Sequence, residues 1–305
     1  MSITFFGSVV AITGAGSGIG RALALDLATR GANLALADID SDGLAETVML
    51  VEATTHNNSR SKVTATSLDV ADRAAVEAWA AQVVEEHGKV NMVINNAGVA
   101  LTAMIEGMSY EDFVWLMNIN FWGVVYGTQA FLPYLKESGE GHVVNISSVF
   151  GLLSIPTQSA YNASKFAVRG YTDALRMELE IADEGVSSTT VHPGGIRTNI
   201  ARNARTDSSA LSISGSAKEL ADNFDRMTLT TPDKAASQIL KAVQRNRRRA
   251  LIGPDAKVFD LVSRLPAPLY QRVLVAGSRR SWLGRKSSPE KSSPERSSPE
   301  KSSAG

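Results

Sequence analysis

Tyr161 and Lys165 lie four residues apart in SAYNASKFAV, residues 159–168. On a helix that spacing puts both side chains on one face, a phenol beside an ammonium. The chemistry open to such a pair is proton transfer. A free phenol ionises near pH 10, too high for a base near neutrality. Lowering that value by ~3 units takes about 4 kcal/mol of selective stabilisation of the phenolate. One cation at ~4 Å under an effective dielectric near 20 gives about that much. Standing alone, the pair also reads as two partly exposed helix residues, so the case has to come from other stretches.

TGAGSGIG (Thr13 to Gly20) lies between a β-branched run, SVVAIT, and a helical pattern, IGRALALDLATRG. Gly14 permits the tight turn, Gly18 lets the backbone approach a pyrophosphate, and Gly20 lets helix and strand pack closely. The helix N-terminus beyond offers N–H groups and partial positive charge to phosphates. Asp38 follows eighteen residues past Gly20, at the end of a second strand-like run. Its carboxylate can accept hydrogen bonds from ribose hydroxyls and would repel a 2′-phosphate. Neither Ser17 nor Ile39 supplies the cation a 2′-phosphate needs, so NAD is favoured over NADP. The plainer role for Asp38 is a helix cap, since Asp40 and Ser41 follow closely. A nicotinamide cofactor needs an acid–base group beside it, and the tyrosine is the candidate.

Composition narrows the alternatives. The chain has 305 residues, 44% of them apolar, and no cysteine, which removes disulfides, thiolate nucleophiles and cysteine-ligated zinc. The four histidines, His56, His87, His142 and His192, show no metal-ligand spacing on a common helix. The 31 basic and 31 acidic residues cancel, and nothing overall points to nucleic acid. From Ala276 onward there are seven basic and three acidic residues, leaving a body with 24 against 28. No apolar run approaches the ~20 residues of a membrane span, and the N-terminus lacks a signal-peptide pattern. A cytoplasmic protein is the expectation.

Strand-like runs alternate with helical patterns to position these groups. NLALAD, VTATSLD, VNMVINNAG, HVVNIS, SSTTVH and ALIG read as further strands, about seven in all. Helices are expected over roughly 43–53, RAAVEAWAAQVVEEHG, one long stretch from Tyr110 to Glu137, Tyr161 to Asp183, and TTPDKAASQILKAV with its Thr cap and Pro232 in the first turn. The fold class is α/β, a doubly wound parallel sheet with helices on both faces. Residues 1–255 form the expected catalytic domain, with a mobile lid over about 199–230. Residues 256–284 form a helical extension whose apolar groups must pack on something. The repeat KSSPE, KSSPE, RSSPE, KSSAG within 285–305 is expected to be disordered. RNRRR (Arg245 to Arg249) reads as a solvated helix end suited to the C-terminal dipole.

TGAGSGIG, NNAG (Asn95 to Gly98), NFWG (Asn120 to Gly123), ISS, YNASK and PGGIRT (Pro193 to Thr198) resemble, in identity and order, the motifs of the short-chain dehydrogenases/reductases. The similarity covers about residues 5 to 255. It implies a four-residue site. Tyr161 is the expected acid/base. Lys165 lowers its pKa and binds the nicotinamide ribose, Ser148 holds the substrate oxygen, and Asn120 bends its helix and holds a water linking Lys165 to solvent. The family's serine stands thirteen residues before its tyrosine, which selects Ser148 over Ser147. Its asparagine precedes a glycine by three, which selects Asn120 over Asn118.

By the same likeness Asp69 contacts adenine, Asn96, Ala97 and Gly98 border the cofactor, and Thr198 binds the carboxamide. Ser17, Ile19, Val70, Pro193, Gly194 and Ile196 complete the cofactor contacts with Gly14 and Gly18. NNAG is also expected to act as a structural turn. Leu101, Met104, Phe150, Leu152, Leu153 and Pro156 are apolar positions expected near substrate, which implies a hydrophobic secondary alcohol or its ketone; the plainer reading puts half of them in the core. Family members pair through their long helices, so a homodimer or homotetramer is expected. An NADP-preferring carbonyl reductase and a catalytically silent dinucleotide-binding scaffold are the competing readings.

Overall fold

Five consecutive buried residues, Val9–Thr13, make β1, and strands buried on both faces are what a parallel sheet between two helix layers requires. The computed structural model describes residues 3–55, 61–210, 228 and 230–286. The chain runs β1, α1 (Gly18–Thr29), β2 (Asn33–Asp38), α2 (Ser41–Thr55), β3 (Val63–Ser67), α3 (Arg73–His87), β4 (Met92–Asn95), β5 (Leu101–Thr102) and α4 (Tyr110–Met117). It continues through a π turn (Asn118–Trp122), α5 (Gly123–Glu137), β6 (Gly141–Ile146), a 3₁₀ turn (Val149–Gly151), α6 (Ser159–Ala182), β7 (Val186–Pro193) and β8 (Arg205–Thr206). The last elements are α7 (Pro232–Gln244), β9 (Arg249–Ile252), α8 (Pro254–Ser263) and α9 (Ala267–Lys286).

Seven strands form one parallel sheet in the order β3-β2-β1-β4-β6-β7-β9. Val10 lies opposite Leu34 on one side and Met92 on the other, which fixes the register at the centre. Alternation along β1 sends Val10 and Ile12 into a core with Leu23, Leu27 and Ile239. Val9 and Ala11 face a second core with Trp79, Phe131 and Leu179. There the Trp79 and Phe131 rings meet edge to face at 5.1 Å. Strand order reverses between β1 and β4, so the crevice at their carboxyl ends is the place where such a sheet binds ligands.

Two features depart from the expected pattern. The helix read from Tyr110 to Glu137 is broken by the π turn, where the Gly123 N–H reaches back to the Asn118 carbonyl. The extra residue in that turn swings Asn120 inward, where it is fully buried. The second is a two-stranded sheet pairing β5 with β8, which fastens the segment after β7 beside the end of α4. The rest of the expected lid, 211–227 and 229, lies outside the described residues, as do 287–305 of the repeat tail. Among the described residues no helix is long and apolar enough to cross a membrane.

Candidate active site

The glycine loop is held from behind by the β4 end. Asn96 Nδ2 donates to the carbonyls of Thr13 and Gly14, both at 3.0 Å. Thr13 Oγ1 accepts from the Asn96 and Ala97 N–H groups. Gly14 and Gly18 have φ of 66° and 54°, the left-handed region. A Cβ on Gly20 would lie 2.0 Å from the Gly14 oxygen, so α1 and the loop touch backbone to backbone. Ser17 is the N-cap of α1 but makes no side-chain cap bond, which leaves the first N–H groups of the helix to another acceptor. Ile19 is partly buried against the core beneath. Thr198 Cγ2 closes over the loop, 3.2 Å from where a Gly18 Cβ would sit.

Asp38 Oδ2 accepts from the Gly16 N–H at 2.7 Å and Oδ1 from the Asp40 N–H at 2.9 Å. An ionised carboxylate has about four acceptor positions, so both oxygens can accept again. Arg21 braces the same corner, donating to Gly43 O and Thr47 Oγ1 and pairing with Glu46 at 2.7 Å. Asp69 is exposed beyond β3, its Oδ1 turned onto the Ala71 N–H at 2.9 Å. Val70 is buried, in the position where a Gly123 Cβ would come within 2.9 Å of it.

The chemical half gathers at the ends of β6 and α6. Ser147 Oγ turns away, donating to the Lys165 carbonyl at 2.8 Å. Ser148 Oγ accepts from the Phe150 N–H at 3.1 Å, and its hydroxyl is near enough to the Tyr161 phenol to favour the phenolate. The Lys165 ammonium stands 5.5 Å from the Tyr161 ring centroid and donates to the Ile146 carbonyl at 3.1 Å. A Cβ on Gly98 would come 3.5 Å from Lys165 Nζ and 3.2 Å from Asn120 Oδ1, so these three residues close one corner. Asn120 itself is tied to the Val99 backbone, accepting from its N–H at 2.8 Å and donating to its carbonyl at 2.9 Å.

Burial favours the neutral form of both groups in the pair. It pushes the Tyr161 phenol up to about 12, opposed by the Ser148 hydroxyl. It pushes the Lys165 ammonium down to about 8. The Ile146 carbonyl shares the ammonium with the phenol. Burial thus opposes ionisation of the phenol. The Lys165 charge still reaches the ring, 5.5 Å from its centroid.

A family model described as short chain dehydrogenase matches residues 8–209. The chain is 47% identical over 275 residues to the oxidoreductase SadH of Mycobacterium tuberculosis, covering 90% of this chain and 96% of that protein. Among solved structures it superposes on a short-chain dehydrogenase/reductase from Burkholderia phymatum in complex with NAD. That match has a TM-score of 0.78 and 32% identity and covers 86% of this chain and 94% of the other. The protein is a short-chain dehydrogenase/reductase. Levodione reductase is a further neighbour, at TM-score 0.71 and 29% identity, over 83% of this chain and 99% of that one.

Within this oxidoreductase the apolar positions expected near substrate divide. Phe150 meets Tyr161 edge to face at 6.1 Å, and Met104 is partly buried with its N–H on Ser209 Oγ. Leu101, Leu152 and Leu153 are buried, and Pro156 is exposed. Ile196 likewise sits in the main core. Pro193 ends β7 opposite Ile252, and Gly194 is pressed so closely by Asp255 that a Cβ there would lie 2.1 Å from its Oδ2.

Three groups that shape the candidate site escaped sequence reasoning. Asp255 Oδ2 accepts from the Gly195 N–H at 2.6 Å and so fixes the PGG turn. Its signal was available, an acid following Pro254 in a first helical turn. Arg205 stacks 3.6 Å over the Trp115 ring and pairs with Asp112 at 2.8 Å, bolting the segment after β7 to α4. His192, fully buried, lies 2.8 Å through Nδ1 from the Ser148 carbonyl.

Proposed function

We propose that this protein is an NAD-dependent oxidoreductase that interconverts a hydrophobic secondary alcohol and its ketone, with Tyr161 as the acid/base. The observation that carries this reading is the convergence of Ser148, Tyr161 and Lys165 on the sheet edge that also holds the glycine loop. The residues present fit a dinucleotide: α1 has an uncapped N-terminus, Gly18 leaves a cradle under Thr198, and Asp38 keeps acceptor capacity. Gly14, Gly18 and the α1 N–H groups would hold the pyrophosphate and Asp38 the adenosine ribose, with Asp69 near adenine and Thr198 at the carboxamide. Bound there, the nicotinamide supplies the hydride acceptor or donor. The NAD carried by the Burkholderia relative supports the choice of coenzyme, as does the carboxylate at Asp38.

Ser148 would then orient the substrate oxygen toward the Tyr161 hydroxyl. In ketone reduction Tyr161 gives its proton to that oxygen; in alcohol oxidation the phenolate takes it. Lys165 favours the phenolate electrostatically and, with Asn120 and Gly98, lines the route by which the proton is replaced. Phe150 and Met104 give the substrate an apolar wall. Residues 1–255 would form the catalytic domain with 256–284 as an appended helical unit. Exposed Tyr110 and Val114 on α4, and Met177 and Ile181 on α6, support pairing of subunits through these helices.

The test is a panel of secondary alcohols (2-octanol, cyclohexanol, 1-phenylethanol, small polyols) with NAD or NADP, followed at 340 nm. Tyr161→Phe keeps the ring and loses the proton, and its rate should fall by orders of magnitude. Equal rates in the two proteins, or turnover confined to small polyols, would refute the proposal.

A further inference from the structure

Resting on that reading, we propose that His192 is a positioning residue of the reaction: its imidazole holds the Ser148 carbonyl and thereby aims the Ser148 hydroxyl at Tyr161. The sheet explains why a side chain is needed here. The last β6–β7 ladder bond runs from the Ser147 N–H to the Val191 carbonyl, at 2.8 Å. The next donor toward β6 would be residue 193 of β7, on the same side of the strand two residues on. That residue is Pro193, which has no N–H. His192 Nδ1 reaches the Ser148 carbonyl instead, at 2.8 Å, and carries the connection one residue beyond the ladder.

Among the described residues, the other backbone bonds to Ser148 are local. Its carbonyl accepts the Gly151 N–H at 2.9 Å, and its hydroxyl accepts the Phe150 N–H at 3.1 Å, both from within the 3₁₀ turn it caps. Those bonds shape the turn without placing it on the sheet. The imidazole supplies that placement. A carbonyl only accepts, so Nδ1 carries the proton and Nε2, buried with no partner among the described residues, is bare. Arg169 and Asp173 of α6 and Arg249 of β9 surround the ring, and burial lowers its pKa to about 4, which keeps it neutral at working pH. No cation is thereby added behind the phenol.

The experiment compares His192→Asn, whose amide nitrogen replaces Nδ1, with His192→Leu, which has no donor. Both are made in wild type and in Ser148→Ala, and assayed with NAD and the fastest alcohol of the panel. His192→Leu should lower kcat ten-fold or more with the Kd for NAD within two-fold, and His192→Asn should stay within three-fold of wild type. On the Ser148→Ala background His192→Leu should change kcat by less than two-fold, because its effect passes through that serine. An undiminished kcat in His192→Leu, an equal loss in both variants, or a full loss persisting without Ser148 overturns the inference. Should His192→Leu not fold, ¹⁵N spectra of the wild-type imidazoles decide: Nδ1 protonated and Nε2 bare from pH 8 to 5 supports it, and the opposite tautomer overturns it. A fully active Tyr161→Phe overturns the proposed reaction and this role with it. An inactive Tyr161→Phe beside a normal His192→Leu overturns this role alone.

Discussion

Lys165→Met removes the cation beside Tyr161 while keeping a side chain of similar length, and the structure sets the size of the effect. Burial places the phenol at about 12 and the ammonium at about 8. At the 5.5 Å separation of Nζ from the ring centroid, an effective dielectric near 20 gives about 3 kcal/mol, roughly two pK units. With the lysine charged, the phenol therefore ionises roughly two pK units lower than with the lysine neutral. At pH 7 the phenolate fraction is about 100-fold larger in wild type than in Lys165→Met. The two sites titrate as a coupled pair. Above about pH 8 the lysine begins to lose its proton and with it the advantage it confers, so the ratio should shrink to about 10-fold at pH 9 and to about two-fold at pH 10. The assay is kcat/KM for alcohol oxidation from pH 6.5 to 10.5, with the carbinol-deuterated alcohol used to verify that hydride transfer limits the rate. A rate ratio that stays constant across this range would mean that Lys165 acts by holding the cofactor rather than by its field on the phenol. The electrostatic reasoning would then be wrong.

Asp38→Ala should weaken NAD binding about ten-fold and narrow the gap to NADP, because the acceptor and the repulsive charge leave together; titration of both coenzymes by fluorescence checks it, and an unchanged NAD/NADP ratio counts against the ribose role. Gly20→Ala should abolish NAD binding or folding, since its Cβ would meet the Gly14 oxygen at 2.0 Å and neither backbone can yield; a soluble variant with normal NAD affinity would contradict this. Acid should destabilise the protein before its carboxylates titrate. Burial lowers His142 from 6.5 to about 3 and His192 from 6.5 to about 4, so between those values the unfolded chain binds more protons and stability falls as pH falls. By pH 4.5 each costs on the order of 2–3 kcal/mol, together a large share of an ordinary domain's 5–15 kcal/mol. His142→Gln keeps the 2.8 Å bond to Thr189; urea unfolding from pH 4.5 to 7 should show it taking up about one proton fewer on unfolding, and an identical pH slope would exclude the histidine.

What the sequence made legible is what repeats locally or is covalently close. β1, α1 and β2 follow from a buried run, a helical period and the glycines between them, all within thirty residues of Val9. Tyr161 and Lys165 are one helical turn apart, so their shared face needed no fold to be read. The π turn was not legible from periodicity, because a single inserted residue leaves the apolar spacing on either side nearly intact; only the family resemblance pointed to a bend at Asn120. Its cause lies 21 residues away, where the Val99 N–H and carbonyl take both ends of the Asn120 amide. The two-residue strands β5 and β8 are too short to show any period. The fate of the lysine charge was hidden for the same reason: the Ile146 carbonyl that competes for it is brought there by the sheet, not by the helix. His192 and Asp255 act on backbone 44 and 60 residues distant. Groups that face the reaction thus sit in short motifs, whereas the groups that hold those motifs from behind are chosen by the packing of β7, β9 and α8. That division makes a physical claim about the second set: their substitution should alter kcat through geometry while leaving every motif residue in place.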